Sequence, residues 1–99
     1  MKYTIKIDKE AINDIKEATL WYNEQQKGLS KKYQNQTIKQ INDLAKNPLL
    51  FSIRYADIRC MKIKKFPFLV HYTVEGTVIT IYAILHTSRN PEIWKKRGK

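Results

Sequence analysis

Arg59, Lys62, Lys64 and Lys65 fall in one short run, Arg59-Cys60-Met61-Lys62-Ile63-Lys64-Lys65-Phe66. In an extended strand successive side chains alternate faces, so Lys62 and Lys64 share one side and Arg59 and Lys65 the other. Two ammonium groups about 7 Å apart on one face match the spacing of adjacent phosphates. The same lysines equally suit a solvated strand whose charges discourage edge-to-edge pairing. A second constellation, Tyr82, Ile84 and His86, shares one parity and runs on to Ser88 and Arg89. Phosphodiester cleavage requires a group to deprotonate the 2′-hydroxyl, a charge to stabilise the phosphorane and an acid for the leaving oxygen. His86 or Tyr82 can handle the protons and Arg89 the charge. A single His at a strand end also serves as an ordinary hydrogen-bonded surface group. His71, between Leu69 and Thr73, receives no role.

Other chemistries lack their parts. Cys60 reads as a small apolar filler, and a nucleophilic reading needs a lowered thiol pKa that neighbouring Arg59 and Lys62 permit without requiring. Three glycines cannot build a phosphate-cradling loop, and no acidic cluster or His pair has ligand spacing, so no metal or small-molecule cofactor is expected. Near the end, Asn90-Pro91-Glu92-Ile93-Trp94 suits a short turn or helix capped by Asn90, with Trp94 anchoring it by packing. The closing Lys95-Lys96-Arg97-Gly98-Lys99 adds charge that serves partner attraction or solubility.

The elements that must position these residues follow from periodicity. Tyr3 to Ile7 alternates with period two and reads as a strand ended by Asp8, which suits a helix N-cap. Ala11, Ile12, Ile15, Ala18 and Tyr22 then mark one stripe of a helix to about Gln26, with Glu10 favouring the positive end of its dipole. Lys27-Gly28 stops it as a C-cap. Leu29, Tyr33, Thr37, Ile41 and Leu44, flanked by Ile38 and Ala45, form a second stripe up to Asn47-Pro48. So short a link predicts an antiparallel helical hairpin. Leu20 falls off the first stripe and Trp21 near its edge, which suits exposed surface or a partner contact.

Beyond Pro48, Ile53–Tyr55 and residues 58–66 read as strands, the second with apolar residues on both parities and no evident core face. Phe68 to Val74, a turn at Glu75-Gly76, and the nearly all-apolar run from Val78 to Leu85 complete an antiparallel meander. The last run is expected to be a central strand covered on both faces. The whole is an α+β domain: N-terminal strand, helical hairpin packed on one face of the sheet, β-meander.

Ninety-nine residues suffice for one domain, residues 1–99, and 42% hydrophobic content excludes disorder despite a net charge of +10. Residues 1–50 carry 9 basic and 6 acidic side chains, whereas residues 51–99 carry 10 and 3, so the excess is C-terminal. It favours phosphate backbones or acidic protein segments as partners. No apolar run approaches the ~18 residues that span a bilayer, and lysines interrupt the start where a signal peptide is unbroken. The expected location is the cytoplasm, without membrane association.

Glu17-Ala18-Thr19-Leu20-Trp21-Tyr22, Gln26-Lys27-Gly28-Leu29 and Tyr33 resemble the helical hairpin of the RelE/ParE toxin superfamily of type II toxin–antitoxin systems. Asn47-Pro48, Ile58-Arg59, Lys65-Phe66-Pro67-Phe68, His71-Tyr72 and Leu85-His86 with Arg89, Pro91, Trp94 and Arg97 follow in the family's order. The resemblance covers nearly the whole chain. It implies a toxin neutralised by a cognate antitoxin whose disordered acidic part wraps it and folds on binding. RelE-like members cleave messenger RNA in the ribosomal A site, whereas ParE-like members inhibit DNA gyrase.

For ribonuclease activity the resemblance implies Arg59, Lys62, Lys64, His86 and Arg89 as candidate catalytic residues. The chain lacks the late Tyr of some RelE-like enzymes, and its Lys-Phe-Pro-Phe stretch and His86, Arg89, Pro91, Trp94 ending look closer to ParE-like plasmid-stabilisation proteins. The expectation therefore leans to gyrase inhibition, with A-site cleavage as the alternative and an inactive, antitoxin-binding regulator as a third. Leu20, Trp21, Arg59, Lys65, Trp94 and Arg97 are the expected partner contacts.

Overall fold

The computed structural model describes residues 2–88. β1 (Thr4–Ile7) leads directly into α1 (Lys9–Gln25), because Asp8 ends the strand and caps the helix in one step. Its backbone N–H donates to Ile81 O at 2.9 Å while its carboxylate accepts from Lys9 N at 2.7 Å. After α1 ends at Gln26, Gly28 turns the chain with φ 85°, a conformation that strains any residue carrying a Cβ. Gly28 thus opens α2 (Leu29–Leu44) as its N-cap rather than closing α1, a shift of two residues from the expected C-cap. Pro48 lies just beyond a last tight turn, in which Asn47 N donates to Leu44 O.

Five strands form one mixed sheet in the order β1-β5-β4-β3-β2. β2 (Ile53–Tyr55), β3 (Ile58–Lys62), β4 (Phe68–Glu75) and β5 (Val78–His86) make the antiparallel meander. β1 returns to pair with β5 in parallel, Thr4 opposite Val78 and Ile7 opposite Ile81. β5 therefore lies between two strands, and its burial on both faces matches its apolar run. The expected strand over 58–66 is shorter than its apolar pattern: β3 stops at Lys62, and residues 64–67 turn.

The helices cover one face of the sheet. Ala11, Ala18 and Tyr22 of α1 and Tyr33, Ile41 and Leu44 of α2 pack on Met61, Val70, Tyr72, Ile79, Ile81 and Ile84. Ile12 and Ile38, expected on or beside the stripes, are 43% and 45% exposed because each lies one step around the helix from the contact line. The opposite sheet face buries Ile58, Cys60, Leu69, His71, Thr73, Ala83 and Leu85. β3 thus has a core on both sides, which is why its pattern favoured neither.

One irregularity fixes where β5 points its residues. His71 faces Ala83 but Tyr72 faces Ile81, so Tyr82 is an extra residue, a β-bulge. Before the bulge Ile79 and Ile81 face the helices; after it Ile84 does, opposite Val70. The expected common parity of Tyr82, Ile84 and His86 is therefore broken at Tyr82, while Ile84 and His86 stay on the helix side.

Candidate functional site

A cluster of aromatic rings joins the hairpin to the β3–β4 turn. Tyr22 lies 5.2 Å from Tyr33 and 5.3 Å from Phe66, and Tyr33 lies 5.4 Å from both Phe66 and Phe68. Tilted and edge-to-face contacts at these separations add to the area each ring buries. The stack continues outward: Trp21 meets Tyr22 edge-on at 5.0 Å, and Phe68 meets His86 at 5.3 Å. A hollow of about 420 Å³ opens between α1 and the end of β5, with Trp21, Tyr22, Phe68 and His86 on its walls and Asp14 and Glu17 at its side.

The hollow exists because β1 is short. β1 accompanies β5 only to Ile81, and from Tyr82 to His86 helix α1 runs beside β5 instead. Asp14 bridges the gap, its carboxylate accepting Ile84 N–H at 2.9 Å. At the far end Ser88 N–H donates to His86 Nδ1 at 3.1 Å, and Ser88 Oγ lies 2.7 Å from the same nitrogen. A nitrogen that accepts from an amide carries no proton, so the neutral His86 ring holds its proton on Nε2.

The expected catalytic residues that are described, Arg59, Lys62, Lys64 and His86, lie apart. Arg59 is half-buried on the helix side of β3 and donates through Nη1 to Phe51 O at 2.6 Å. It thereby fastens the chain between α2 and β2, as does Tyr72, whose hydroxyl donates to Pro48 O at 2.7 Å. Lys62 lies on the opposite sheet face from Arg59, and its ammonium reaches Ile63 O and Phe66 O at 3.2 and 3.3 Å. Lys64 and Lys65 sit exposed in the turn beyond β3, so Lys62 and Lys64 do not share a strand face. His86 lies on the helix side, opposite Phe68, with the sheet between it and Lys62. Along β4, Phe68 and Tyr72 mark the levels of His86 and Arg59, four residues or roughly 13 Å apart. Arg89, Trp94 and Arg97, the turn or helix after Pro91 and the basic end lie outside the described residues.

Of the expected partner contacts, Leu20 and Trp21 are 66% and 54% exposed. Lys65 is exposed as well, with φ 70°, a left-handed conformation that a lysine adopts only when neighbours hold it. The segment just before it is fixed by Gln40 of α2, which sequence reading missed. Its Nε2 donates to Lys62 O at 3.0 Å and its Oε1 accepts Lys64 N–H at 2.7 Å, so one side chain clamps both ends of Lys62-Ile63-Lys64. Gln36 donates to the same Oε1 at 2.7 Å.

His71, given no role, is fully buried, with Nδ1 3.0 Å from Tyr55 Oη and 3.4 Å from Cys60 Sγ. Burial pushes the Cys60 thiol up to about 11, against a smaller opposing pull from Arg54. Cys60 is thus a protonated packing residue at neutral pH and no nucleophile. Among the described residues no group of His, Cys, Asp or Glu has the arrangement of a metal site, and no helix is long and apolar enough to cross a membrane.

The sequence profile described as ParE toxin of type II toxin-antitoxin system, parDE, matches residues 5–91. Among solved structures the chain is similar to one from the chromosomal ParDE toxin–antitoxin system of P. aeruginosa: TM-score 0.71, 18% identity, covering 86% of this chain and 96% of that one. It is also similar to E. coli toxin RelE, solved free as a double arginine-to-alanine mutant: TM-score 0.63, 13% identity, covering 99% and 96%. At these identities the two likenesses concern the fold. No curated protein matches the chain.

Proposed function

Because the chain belongs to the ParE toxin family of type II toxin–antitoxin systems, we propose that it arrests growth in the cytoplasm by binding DNA gyrase and is neutralised by a co-encoded acidic antitoxin. The observation that carries the non-catalytic reading is the dispersal of the candidate ribonuclease groups. Arg59 and Lys62 are committed to backbone carbonyls on opposite sheet faces, and His86 stands four residues along β4 from the level of Arg59. Acid–base cleavage needs its groups within hydrogen-bond reach of one phosphate. Binding needs only a shaped surface, which exposed Leu20 and Trp21 supply on the hairpin. The net charge of +10 draws an acidic, disordered antitoxin segment toward the chain.

The test is supercoiling of relaxed plasmid by purified gyrase in the presence of the purified chain. Loss of supercoiling, restored by the antitoxin, is the expected result. Undisturbed supercoiling at a tenfold molar excess rejects gyrase as target. Transcripts cut at A-site codons in the same expressing cells would then assign the endonuclease reaction, and normal growth on induction would assign a purely regulatory role.

A further inference from the structure

The hollow between α1 and β5 is an exception on a cationic chain. Glu10, Asp14, Glu17 and Glu24 recur on α1 with Trp21 among them, at spacings of three and four residues. That spacing draws one stripe along the helix, and it holds four of the nine acidic residues in the chain. The middle of the stripe faces β5, since Asp14 reaches Ile84 N–H and both Asp14 and Glu17 line the hollow. No lysine or arginine is among the described lining residues. Glu17 makes its hydrogen bond with a neutral group, Asn13 Nδ2 at 3.2 Å, and no ion pair to it is found among the described residues, so its charge can meet an incoming cation.

The walls suit a cation as well. Trp21 and Phe68 are held by the ring stack against Tyr22, and the indole is half exposed. A guanidinium lying on such a ring gains cation–π attraction, strongest for tryptophan, while its stem covers apolar surface. A carboxylate entering the same place would meet Glu17 and Asp14.

We propose that this hollow binds a basic-apolar segment of a partner protein, an arginine side chain lying against Trp21 beside Glu17 with an adjacent leucine-like side chain over Phe68 and Pro67. The site is therefore distinct in chemistry from any surface that takes an acidic segment. It stands on the hollow alone and does not rest on gyrase as target.

The experiment uses the full chain carrying Trp94→Phe, which leaves Trp21 as the sole tryptophan. Its fluorescence is titrated with an acetylated decapeptide alternating arginine and leucine, and separately with the glutamate–leucine counterpart, at 0.15 M salt. The expected result is a saturable change in Trp21 emission with the arginine peptide alone, weakened about fivefold to tenfold by Glu17→Gln. An equal response to the glutamate peptide, no saturable response to the arginine peptide, or unchanged affinity in Glu17→Gln overturns the proposal. A fourth arm replaces Arg89, Lys95, Lys96 and Arg97 by glutamine. If that change alone alters Trp21 emission, the occupant is the chain's own basic end and the partner proposal fails. Unaltered emission supports it.

Discussion

The carboxylate of Asp14 accepts the backbone N–H of Ile84 at 2.9 Å, joining α1 to β5 at the point where β1 has run out. A strand edge that loses its neighbour must satisfy its amides elsewhere, and here a helix side chain substitutes for a strand carbonyl. Removing that acceptor leaves the amide of Ile84 in a half-buried place. Asp14→Ala is expected to lower unfolding free energy by about 1–3 kcal/mol and to speed amide exchange at Ile84. Asp14→Asn, which keeps an acceptor oxygen, should lose less. Urea denaturation with an unshifted midpoint in Asp14→Ala would sink this account.

Gln40 plays the corresponding part for the β3–β4 turn. Gln40→Leu removes both the donor to Lys62 O and the acceptor for Lys64 N–H, so a loss of about 2 kcal/mol is expected. The sharper readout is local. Lys64 amide exchange should accelerate more than that of β4 core amides such as Val70, and uniform acceleration would mean that Gln40 supports the fold generally rather than this turn.

Asp14 and Gln40 also show what the sequence made legible. The stripes Ala11, Ile15, Ala18, Tyr22 and Tyr33, Thr37, Ile41, Leu44 located the hairpin because apolar spacing is a local property. Asp14 and Gln40 sit at stripe positions yet are polar, and that mismatch is the signal that would have marked them as helix-to-sheet connectors. The bulge at Tyr82 left no such sign: one inserted residue in an apolar run changes register without changing composition. Parallel pairing of β1 with β5 was equally silent, since alternation in Tyr3 to Ile7 says that a face is buried but not which strand lies beside it. The dispersal of Arg59, Lys62, Lys64 and His86 follows from the early end of β3 and from the two-sided core, both tertiary facts.

Arg59 and Tyr72 fasten the same segment, through Phe51 O and Pro48 O. Arg59→Ala is expected to cost about 1.5–3 kcal/mol, as a charged donor, and Tyr72→Phe about 1 kcal/mol. Because each holds the segment in place for the other, the double variant should depart from additivity by at least ~0.5 kcal/mol. Strict additivity in a double-mutant cycle would show that the two bonds act independently.

Buried acids, Tyr22 among them, set the alkaline limit of stability. Burial pushes Cys60 from 9.0 up to about 11, and Tyr33 and Tyr72 from 10.0 up to about 12. Above pH 9 the unfolded chain releases these protons first, so it binds fewer than the native state and unfolding free energy falls with rising pH. Their contribution is complete below about pH 9 and disappears as pH climbs through 11 and 12. Urea midpoints should be level from pH 7 to 8.5 and decline beyond 9, with Cys60→Ala removing part of the decline between 9 and 11. A flat profile to pH 11 would contradict the assignment.

The parallel pairing of β1 with β5 has a consequence in time. Thr4 is synthesised 74 residues ahead of its neighbour Val78. At translation rates of ~5–20 residues per second, roughly 4–15 s separate the two. Contacts of such long sequence separation also close slowly once both ends exist. Throughout that interval the apolar stripes of the hairpin have no finished sheet to cover. The nascent chain is then adhesive, so a binding partner already present would meet it before β5 completes the sheet.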